Sequence, residues 1–278
     1  MWEGLFGRKN AAKAATSEPS RWSRLIEAYL GCECEYIPAN TDPDEALRRF
    51  EVTEAFCRNS GMYPVLVPTD DILAEALFEN AGVSLPEGDT VPQEDIDRIK
   101  RYRSALLSSI NPDNAGELMR AGEKEAAEML KDEHFRKTVW ESKVIEFDDN
   151  NSRPGAFRDL QTRKTRELLL AKIPAGEPWE IPAWLPFGGW NDCPSPETML
   201  AMAKRWYEGY GAVVCCVTCD EMEFQVKTPP VSHEEALALA KEHFYFCYDR
   251  LTQYGGYYNL ATLTDGLLRS RCWYFWWD

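Results

Sequence analysis

The sequence predicts an α+β fold with a mixed β-sheet flanked by helices, and two observations carry this prediction. The chain ends in an aromatic run, Cys-Trp-Tyr-Phe-Trp-Trp-Asp at residues 272–278, and aromatic side chains bury too much area for such a run to stay solvated. A hairpin pattern at residues 213–226 precedes it, with strand-like sequences on both sides of a polar turn.

The aromatic run does not alternate apolar with polar residues, which is typical of a strand that is covered on both faces. We therefore expect the C-terminal aromatic strand to lie internal to the sheet. Its predicted neighbours are the hairpin on one side and strands of the N-terminal half on the other, with residues 63–67 as the expected N-terminal neighbour.

The N-terminal half alternates helix and strand patterns. Apolar residues at helical spacing, proline at a first helical position and glycine after a last one mark the helices, and an apolar run bounded by prolines marks a buried strand. The predicted elements are, in order, a helix over 21–31, a short strand at 32–37, a helix from Pro43 to near Gly61, a strand at 63–68 and a helix capped by Thr69 or Asp70.

The middle of the chain is more polar. Residues 92–135 read as two charged helices broken at Asn111-Pro112-Asp113, and their composition predicts solvent-facing elements. Residues 139–147 are expected to be extended, and residues 157–170 have helix-like spacing. Prolines recur through residues 173–186, so this segment is predicted to be an extended connector packed across its own domain.

The C-terminal block has the clearest punctuation. Ser195 and Pro196 predict a helix start and Gly211 its end, and Ser232 with Glu235 forms a capping box for a second helix. The predicted elements are, in order, a helix from Pro196, strands at 213–217 and 222–226, a helix after Ser232, a helix around 260–268 and the aromatic strand.

Several segments of this block closely resemble a bacterial family of unknown function, DUF4253. They are PFGGWNDCPSPE, the helix end WYEGYGA, PPVSHEEALALAKEHFYFC and the terminal LLRSRCWYFWWD. The resemblance covers about the last hundred residues, with weaker similarity at residues 59–66. It implies no activity, because the family has none established.

The domain organisation follows from these patterns. We expect a flexible tail at 1–20, an N-terminal α/β region at 21–172 with a helical insertion at about 92–135, and a C-terminal domain of the DUF4253 type at 173–278. Because the aromatic strand is expected to pair with strands of the first region, the two regions are predicted to share one core.

Charge and composition exclude several classes of protein. The 31 basic and 46 acidic residues give a net charge of −15, which would repel a nucleic-acid backbone and suits a basic protein partner. No apolar window is long enough for a membrane span, and the N-terminus lacks a secretion signal. Nine cysteines then indicate reduced thiols. We expect a cytoplasmic protein with no cofactor and no metal.

Two arrangements of cysteines are candidates for a chemical site, one for zinc binding and one for nucleophilic catalysis. Cys215, Cys216 and Cys219, with Cys32 and Cys34, could supply zinc ligands, but a second zinc knuckle is missing, and successive strand residues point to opposite faces. His243 and Cys247 are four residues apart on a predicted helix, yet an oxyanion site and an orienting group are missing. Structural thiols are the favoured interpretation in both cases.

The loop at residues 188–192 is the candidate ligand site. Glycine permits close approach of the backbone, Trp190 offers a stacking surface, and Asn191 is a paired donor and acceptor. The residues predicted to line such a pocket are Trp190, Asn191, Asp192 and the terminal Asp278. A tight turn whose tryptophan joins the core is the competing interpretation.

Two functions remain open from the sequence. The first is a non-enzymatic, acidic protein-interaction module, for example of the immunity type that neutralises a basic toxin, and it rests on the charge and the missing catalytic set. The second is a small-molecule-binding domain or enzyme with its site at the Gly188–Asp192 loop. The sequence favours the first.

Overall fold

The structure, a computed structural model, describes residues 18–58, 60–145, 152–253 and 258–278. Most of the predicted N-terminal tail, residues 1–17, lies outside the described residues. The helices are α1 (Arg21–Leu30), α2 (Pro43–Cys57), α3 (Asp71–Asn80), α4 (Gln93–Ser108), α5 (Pro112–Met129), α6 (Glu133–Phe135), α7 (Pro196–Tyr210), α8 (His233–Phe246), α9 (Asp249–Thr252) and α10 (Leu260–Leu267). The strands are β1 (Cys34–Ile37), β2 (Tyr63–Pro68), β3 (Leu168–Ile173), β4 (Val213–Val217), β5 (Glu221–Gln225) and β6 (Cys272–Trp276).

The helix ends follow the predicted signals. The side chains of Ser195 and Ser232 accept hydrogen bonds from the backbone N–H groups of Thr198 and Glu235 at the starts of α7 and α8. Gly31 and Gly211 adopt left-handed conformations at the ends of α1 and α7, where glycine carries no Cβ penalty. The predicted helix boundaries in these regions are therefore set by local chemistry.

The six strands form one mixed sheet in the order β1-β3-β2-β4-β5-β6, so the predicted α+β class is confirmed. β2 and β4 are parallel, whereas the pairs β1–β3, β2–β3, β4–β5 and β5–β6 are antiparallel. The parallel β2–β4 pair joins the strands of the N-terminal half to those of the C-terminal half. The two halves thus contribute to a single sheet.

The predicted position of the aromatic strand is wrong. β6 pairs with β5 and forms an edge of the sheet, and the predicted N-terminal neighbour, β2, pairs with β4 instead. The outer edge of β6 is contacted by residues at the end of α8 and in α9. There the Arg250 guanidinium donates to the Tyr274 carbonyl at 3.0 Å, and the Cys247 thiol donates to the Trp276 carbonyl at 2.9 Å. Side chains, not a strand, therefore satisfy this edge.

The inner face of β6 belongs to an aromatic core, formed by Trp206, Phe224, Phe246, Trp273 and Phe275. Trp206 of α7 is fully buried, and its ring stacks on Phe275 with centroids 5.2 Å apart and planes inclined by 7°. The other core rings meet Trp206 edge-on. One face of the aromatic run is thus covered as the sequence indicates, whereas Tyr274 and Trp276 of the other face are half-buried.

The opposite face of the sheet carries a second cluster of buried residues. α2 contributes Leu47 and Phe50, and the segment before β3 contributes Phe157. Cys215 and Cys216 both belong to this cluster, so the prediction that they point to opposite faces is wrong. The reason is a β-bulge between Val214 and Cys216, which interrupts the alternation of side chains.

Two further local predictions fail. Residues 157–170 are not a helix: they form turns and an isolated bridge between Arg158 and Thr165, followed by β3. Four consecutive apolar residues fit a buried central strand as well as a helical face. The sequence predicts that residues 139–147 are extended, but residues 139–140 belong to a π-helical turn at Arg136–Trp140. Residues 146–147 of the expected segment lie outside the described residues.

The helical insertion is packed more closely than its charge suggests. α5 contacts α7 and α8, and a Cβ added at Gly122 would lie 2.4 Å from the Cβ of Tyr245. Such close approach of two helices requires a residue without a side chain. α5 therefore covers the DUF4253-like helices in addition to presenting charged residues to solvent. Within the described ranges, no helix combines the length and the apolar character that crossing a bilayer requires.

Candidate functional site

A cleft of about 790 Å³ opens at the end of the sheet where the parallel strands β2 and β4 finish. In open sheets with parallel strands, ligands bind outside the carboxyl ends of those strands. We call this cavity the acidic cleft. It is lined by Asp70, Asp71, Ile72, Arg158, Asp159, Leu160, Gln161, Arg166, Cys219, Asp220, Glu221, Gln253, Tyr274 and Trp276. Five carboxylates face two guanidinium groups, a net of three negative charges.

The β4–β5 turn supplies the central carboxylates. The Thr218 hydroxyl donates to Asp220 Oδ1 at 3.0 Å, and Trp276 Nε1 donates to Asp220 Oδ2 at 3.2 Å. The Tyr274 hydroxyl donates to Glu221 Oε1 at 2.7 Å. Neutral donors hold both carboxylates, and among the residues that the structure describes neither carboxylate forms an ion pair, so their negative charge is positioned without being neutralised.

The other side of the cleft comes from the N-terminal half. Asp70 caps α3 by accepting the N–H of Leu73 at 2.8 Å, and its second oxygen is paired with Arg166. Ile72 and Leu160 stand at the rim with 60% and 79% of their surface exposed. Large apolar side chains this exposed beside a charged cleft are typical of a contact surface. The cleft therefore combines an acidic interior, an aromatic wall and an apolar rim.

Burial affects the protonation of the cleft carboxyls. Desolvation raises the pKa of Glu221 and the pKa of Asp70, with the Tyr274 hydrogen bond opposing the shift at Glu221 and the Leu73 N–H, then Arg166, opposing it at Asp70. A carboxylate whose ionised form is penalised by burial gains when a cation arrives, because the cation offsets the lost hydration. The cleft is thus suited electrostatically to a positively charged group.

A buried glutamate fixes the segment that leads into the cleft. Glu223 on β5 accepts the N–H of Gly155 at 2.9 Å and the N–H of Ala156 at 3.0 Å. Desolvation raises the pKa of Glu223 to about 7, against the effect of these two backbone bonds. The bonds anchor residues 155–156 directly before Arg158 and Asp159, so Glu223 positions one wall of the cleft.

The loop predicted from the sequence lies at the C-terminus instead. The Asn191 side chain donates to the Asp278 carbonyl at 2.7 Å, and the Tyr248 hydroxyl donates to the Asp192 carboxylate. Gly188 has a φ of 104°, and a Cβ there would lie 2.2 Å from the Pro194 carbonyl oxygen. Of the four residues predicted to line a pocket, the structure thus brings Asn191 and Asp278 into contact. Trp190 is half-buried against the core, and Asn191 and Asp192 are exposed.

The acidic cleft is lined by other residues than this loop, although both draw on the C-terminal strand: Trp276 lines the cleft and Asp278 contacts the loop. A ligand at the loop would compete with the internal bonds of Asn191 and Asp192. Ligand binding by Trp190, Asn191, Asp192 and Asp278 stays a prediction.

Comparison with known families identifies a match in the carboxyl-terminal part of the chain. Residues 169–278 match the domain of unknown function DUF4253. The resemblance seen in the sequence is thereby confirmed for this DUF4253 region. Searches of curated proteins and of solved structures give no match. The acidic cleft combines residues from inside and outside the matched region. Asp220, Glu221, Tyr274 and Trp276 belong to the matched region, whereas the lining residues at 70–72 and 158–166 precede it in the sequence.

The cysteines are placed as core and wall residues. All nine are free, and within the described part of the chain no three potential ligands are grouped to hold a metal ion. Cys219 lines the acidic cleft, where burial raises the pKa of its thiol to about 12, with Asp70 and Asp220 adding to the shift. A thiol that stays protonated at neutral pH is a poor nucleophile.

His243 and Cys247 of the DUF4253 region do not form a dyad. His243 is buried among Trp206, Trp273 and Phe275, at centroid distances of 5.1, 4.8 and 4.8 Å, and neither ring nitrogen has a hydrogen-bond partner in the described structure. Cys247 instead donates to the backbone of β6. Burial holds the pKa of His243 well below its ordinary value of 6.5.

This histidine is expected to make the fold sensitive to mild acid. Folded His243 stays neutral, whereas the unfolded chain binds a proton below pH 6.5, so its contribution is complete above that value and is lost as the pH falls. The loss should reach up to about 1.4 kcal/mol per pH unit between pH 6.5 and about 5. Glu223, whose pKa is raised to about 7, contributes a slope of opposite sign in both proteins, so the His243 contribution should be measured as the difference in unfolding free energy between the parent and His243→Phe in denaturant titrations at several pH values. Parallel pH curves for the variant and the parent would contradict the assignment.

The cleft offers carboxylates, guanidinium groups and aromatic rings to a ligand. The three histidines of the chain lie at positions 134, 233 and 243, and none lines the cleft. The Cys219 thiol is protonated, and the carboxylates are held by hydrogen-bond donors. The features that sequence reasoning missed are the acidic residues after two strands, Asp70-Asp71 after β2 and Asp220-Glu221 after β4. Their meeting follows only from the parallel pairing of these strands.

Proposed function

We propose that this protein is a non-enzymatic binding protein whose acidic cleft receives the lysine or arginine side chain of a basic partner protein. One observation carries the proposal: Asp220 and Glu221 are held beside Tyr274 and Trp276, partly desolvated and without an ion pair to any described cation. Carboxylates next to aromatic rings favour a cationic head and its apolar stem.

Two further observations favour a protein as the source of this cation over a free amine. Ile72 and Leu160 line the cleft at its open rim and are 60% and 79% exposed, and a protein partner would cover more of this apolar surface than a small amine would. The net charge of the whole chain, −15, would steer a basic protein toward it. In this proposal the protein acts in the cytoplasm, because nine free thiols suit a reducing compartment.

The test is a calorimetric titration with two acetylated, amidated tripeptides, Leu-Arg-Leu and Leu-Gln-Leu. The arginine peptide should bind and the glutamine peptide should not. The double variant Asp220→Asn with Glu221→Gln should weaken binding of the arginine peptide by about tenfold or more, because it removes charge-assisted hydrogen bonds. Both amides can still accept the bonds from Trp276 and Tyr274, so the fold should be retained.

A charge-matched control separates site binding from general attraction. Glu123→Gln with Glu125→Gln removes two exposed carboxylates from α5, remote in sequence from the cleft residues. It should change the affinity by less than about twofold at physiological salt, because exposed charges are screened there. Equal weakening by both double variants, or equal binding of both peptides, would refute the cleft as the site.

A further inference from the structure

A second cavity, of about 720 Å³, lies at the other end of the sheet, where β2 and β4 begin and β5 ends. Its charge is opposite to that of the acidic cleft. Arg58, Lys227 and Arg271 line it against one carboxylate, that of Glu54. In a chain with 15 more acidic than basic residues, three cations at one cavity form a local exception. We call this cavity the basic pocket.

The cations of the basic pocket are not used by the protein's own carboxylates. Within the part of the chain that the structure describes, none of the three takes part in an ion pair. Arg271 donates to the Lys227 carbonyl at 2.9 Å, which fixes its guanidinium at the mouth of the pocket. Burial raises the pKa of Glu54, and the charge of Arg58 opposes that shift. The pocket thus keeps an excess of positive charge.

Neutral donors line the same cavity. Tyr63 and Tyr207 are half-buried in its wall, and neither hydroxyl has a hydrogen-bond partner among the described residues. Neither hydroxyl belongs to the fully buried groups that lack a partner, so both reach solvent and are open to a ligand in the cavity. The cavity thus offers three cations and two hydroxyls as donors, with the carboxylates of Glu177 and Glu180 acting on Tyr63, and the group that accepts from the cations is an oxyanion.

We propose that the basic pocket binds a small organic oxyanion, a phosphate monoester or a carboxylate on an apolar body. The cations and tyrosine hydroxyls would hold the oxyanion, and Met62, Val213 and the tyrosine rings would contact the body. The cavity volume lies within the range of small-molecule sites, about 300–1,000 Å³. This site is separate from the proposed function of the acidic cleft and does not depend on it.

A purely structural role for these cations is the competing explanation. Arg58 follows the last residue of α2, and Lys227 packs against Gly211 at the end of α7. Cations at helix carboxyl ends compensate the partial negative charge there. That role predicts a loss of stability on substitution and no ligand binding, whereas the proposed site predicts saturable binding that depends on the same charges.

The test is an NMR titration of the ¹⁵N-labelled full chain with phenyl phosphate, benzoate and benzyl alcohol. Phenyl phosphate or benzoate should shift the amide signals of Gly61, Gly211 and Val213 in a saturable manner, and the preferred anion identifies the headgroup. Benzyl alcohol, which lacks the charge, should not. Arg58→Gln with Lys227→Gln, two exposed side chains, should weaken binding by about tenfold or more.

The control is Arg101→Gln with Lys124→Gln, which removes two exposed cations from α4 and α5. It should leave the affinity for the anion unchanged. Absence of saturable shifts with both anions would overturn the site, as would equal weakening by the two double variants. In either outcome, binding of the arginine tripeptide in the acidic cleft should persist, so failure of one site is distinguishable from failure of the other.

Discussion

Deletion of residues 272–278 is expected to leave a chain that no longer unfolds cooperatively. The deletion removes Trp273, Phe275 and Trp277, which are 1%, 0% and 2% exposed. Three buried aromatic side chains correspond to on the order of 10 kcal/mol of hydrophobic stabilisation. That is comparable with the total stability of a typical domain, about 5–15 kcal/mol. The deletion also uncovers the ladder edge of β5, which pairs with β6 in the intact chain.

The measurement is thermal unfolding followed by near-ultraviolet circular dichroism and by calorimetry. Deletion of Asp278 alone is the matched control, because this residue is exposed. The control loses the bonds to Asn191 and Asp249 and should cost about 1–2 kcal/mol while the transition stays sharp. A sharp transition for the longer deletion, at the parent temperature, would contradict the role assigned to β6.

Replacement of Trp206 by alanine is expected to destabilise the protein by about 3–5 kcal/mol, the range for large aromatic residues removed from a core. The indole is surrounded by rings of β5, β6 and α8, and its Nε1 donates to Glu242 at 3.1 Å. Its loss leaves a cavity that rigid rings cannot fill, and leaves Glu242 without that donor. Both effects act in the same direction.

The change should be measured by urea unfolding of Trp206→Ala beside Trp179→Ala. Trp179 lies half-buried on the strap between β3 and α7, under the ammonium group of Lys204. Its removal should cost about 1–2 kcal/mol, because less apolar surface is returned to water. Equal losses in the two variants would show that the aromatic core is not the main contributor to stability in this half of the molecule.

The parts of the fold that the sequence predicts are those with local causes. Ser195, Gly211 and Ser232 place helix ends because their side chain or conformational freedom acts within a few residues. The hairpin β4–β5 follows from its turn. The aromatic run indicates coverage of both faces, but only one face is packed in the core, whereas Tyr274 and Trp276 of the other face line the acidic cleft. The edge of the strand is satisfied by Arg250 and Cys247 instead of by another strand. The sequence therefore misplaces β6.

The acidic cleft could not be predicted for a related reason. Its walls come from five segments, around residues 70, 160, 220, 253 and 275, and each segment taken alone is an ordinary turn, helix end or strand. They meet because β2 lies beside β4 in parallel, a pairing that depends on contacts distant in sequence. The loop at 188–192 can be recognised as a candidate site because its glycines, tryptophan and asparagine are adjacent in the sequence. A site assembled from distant segments has no such local pattern.

The position of β2 affects whether the DUF4253 region can be produced as a separate fragment. The matched segment, residues 169–278, includes nearly all of β3 and the whole of β4, yet β2, which is inserted between them, comes from upstream. A gene fragment cut at the family boundary would encode two strands separated by a slot about 10 Å wide, twice the usual spacing between neighbours. Such a fragment would expose the unpaired edges of β3 and β4 and should form inclusion bodies unless residues 63–68 are supplied as a separate peptide or by fusion.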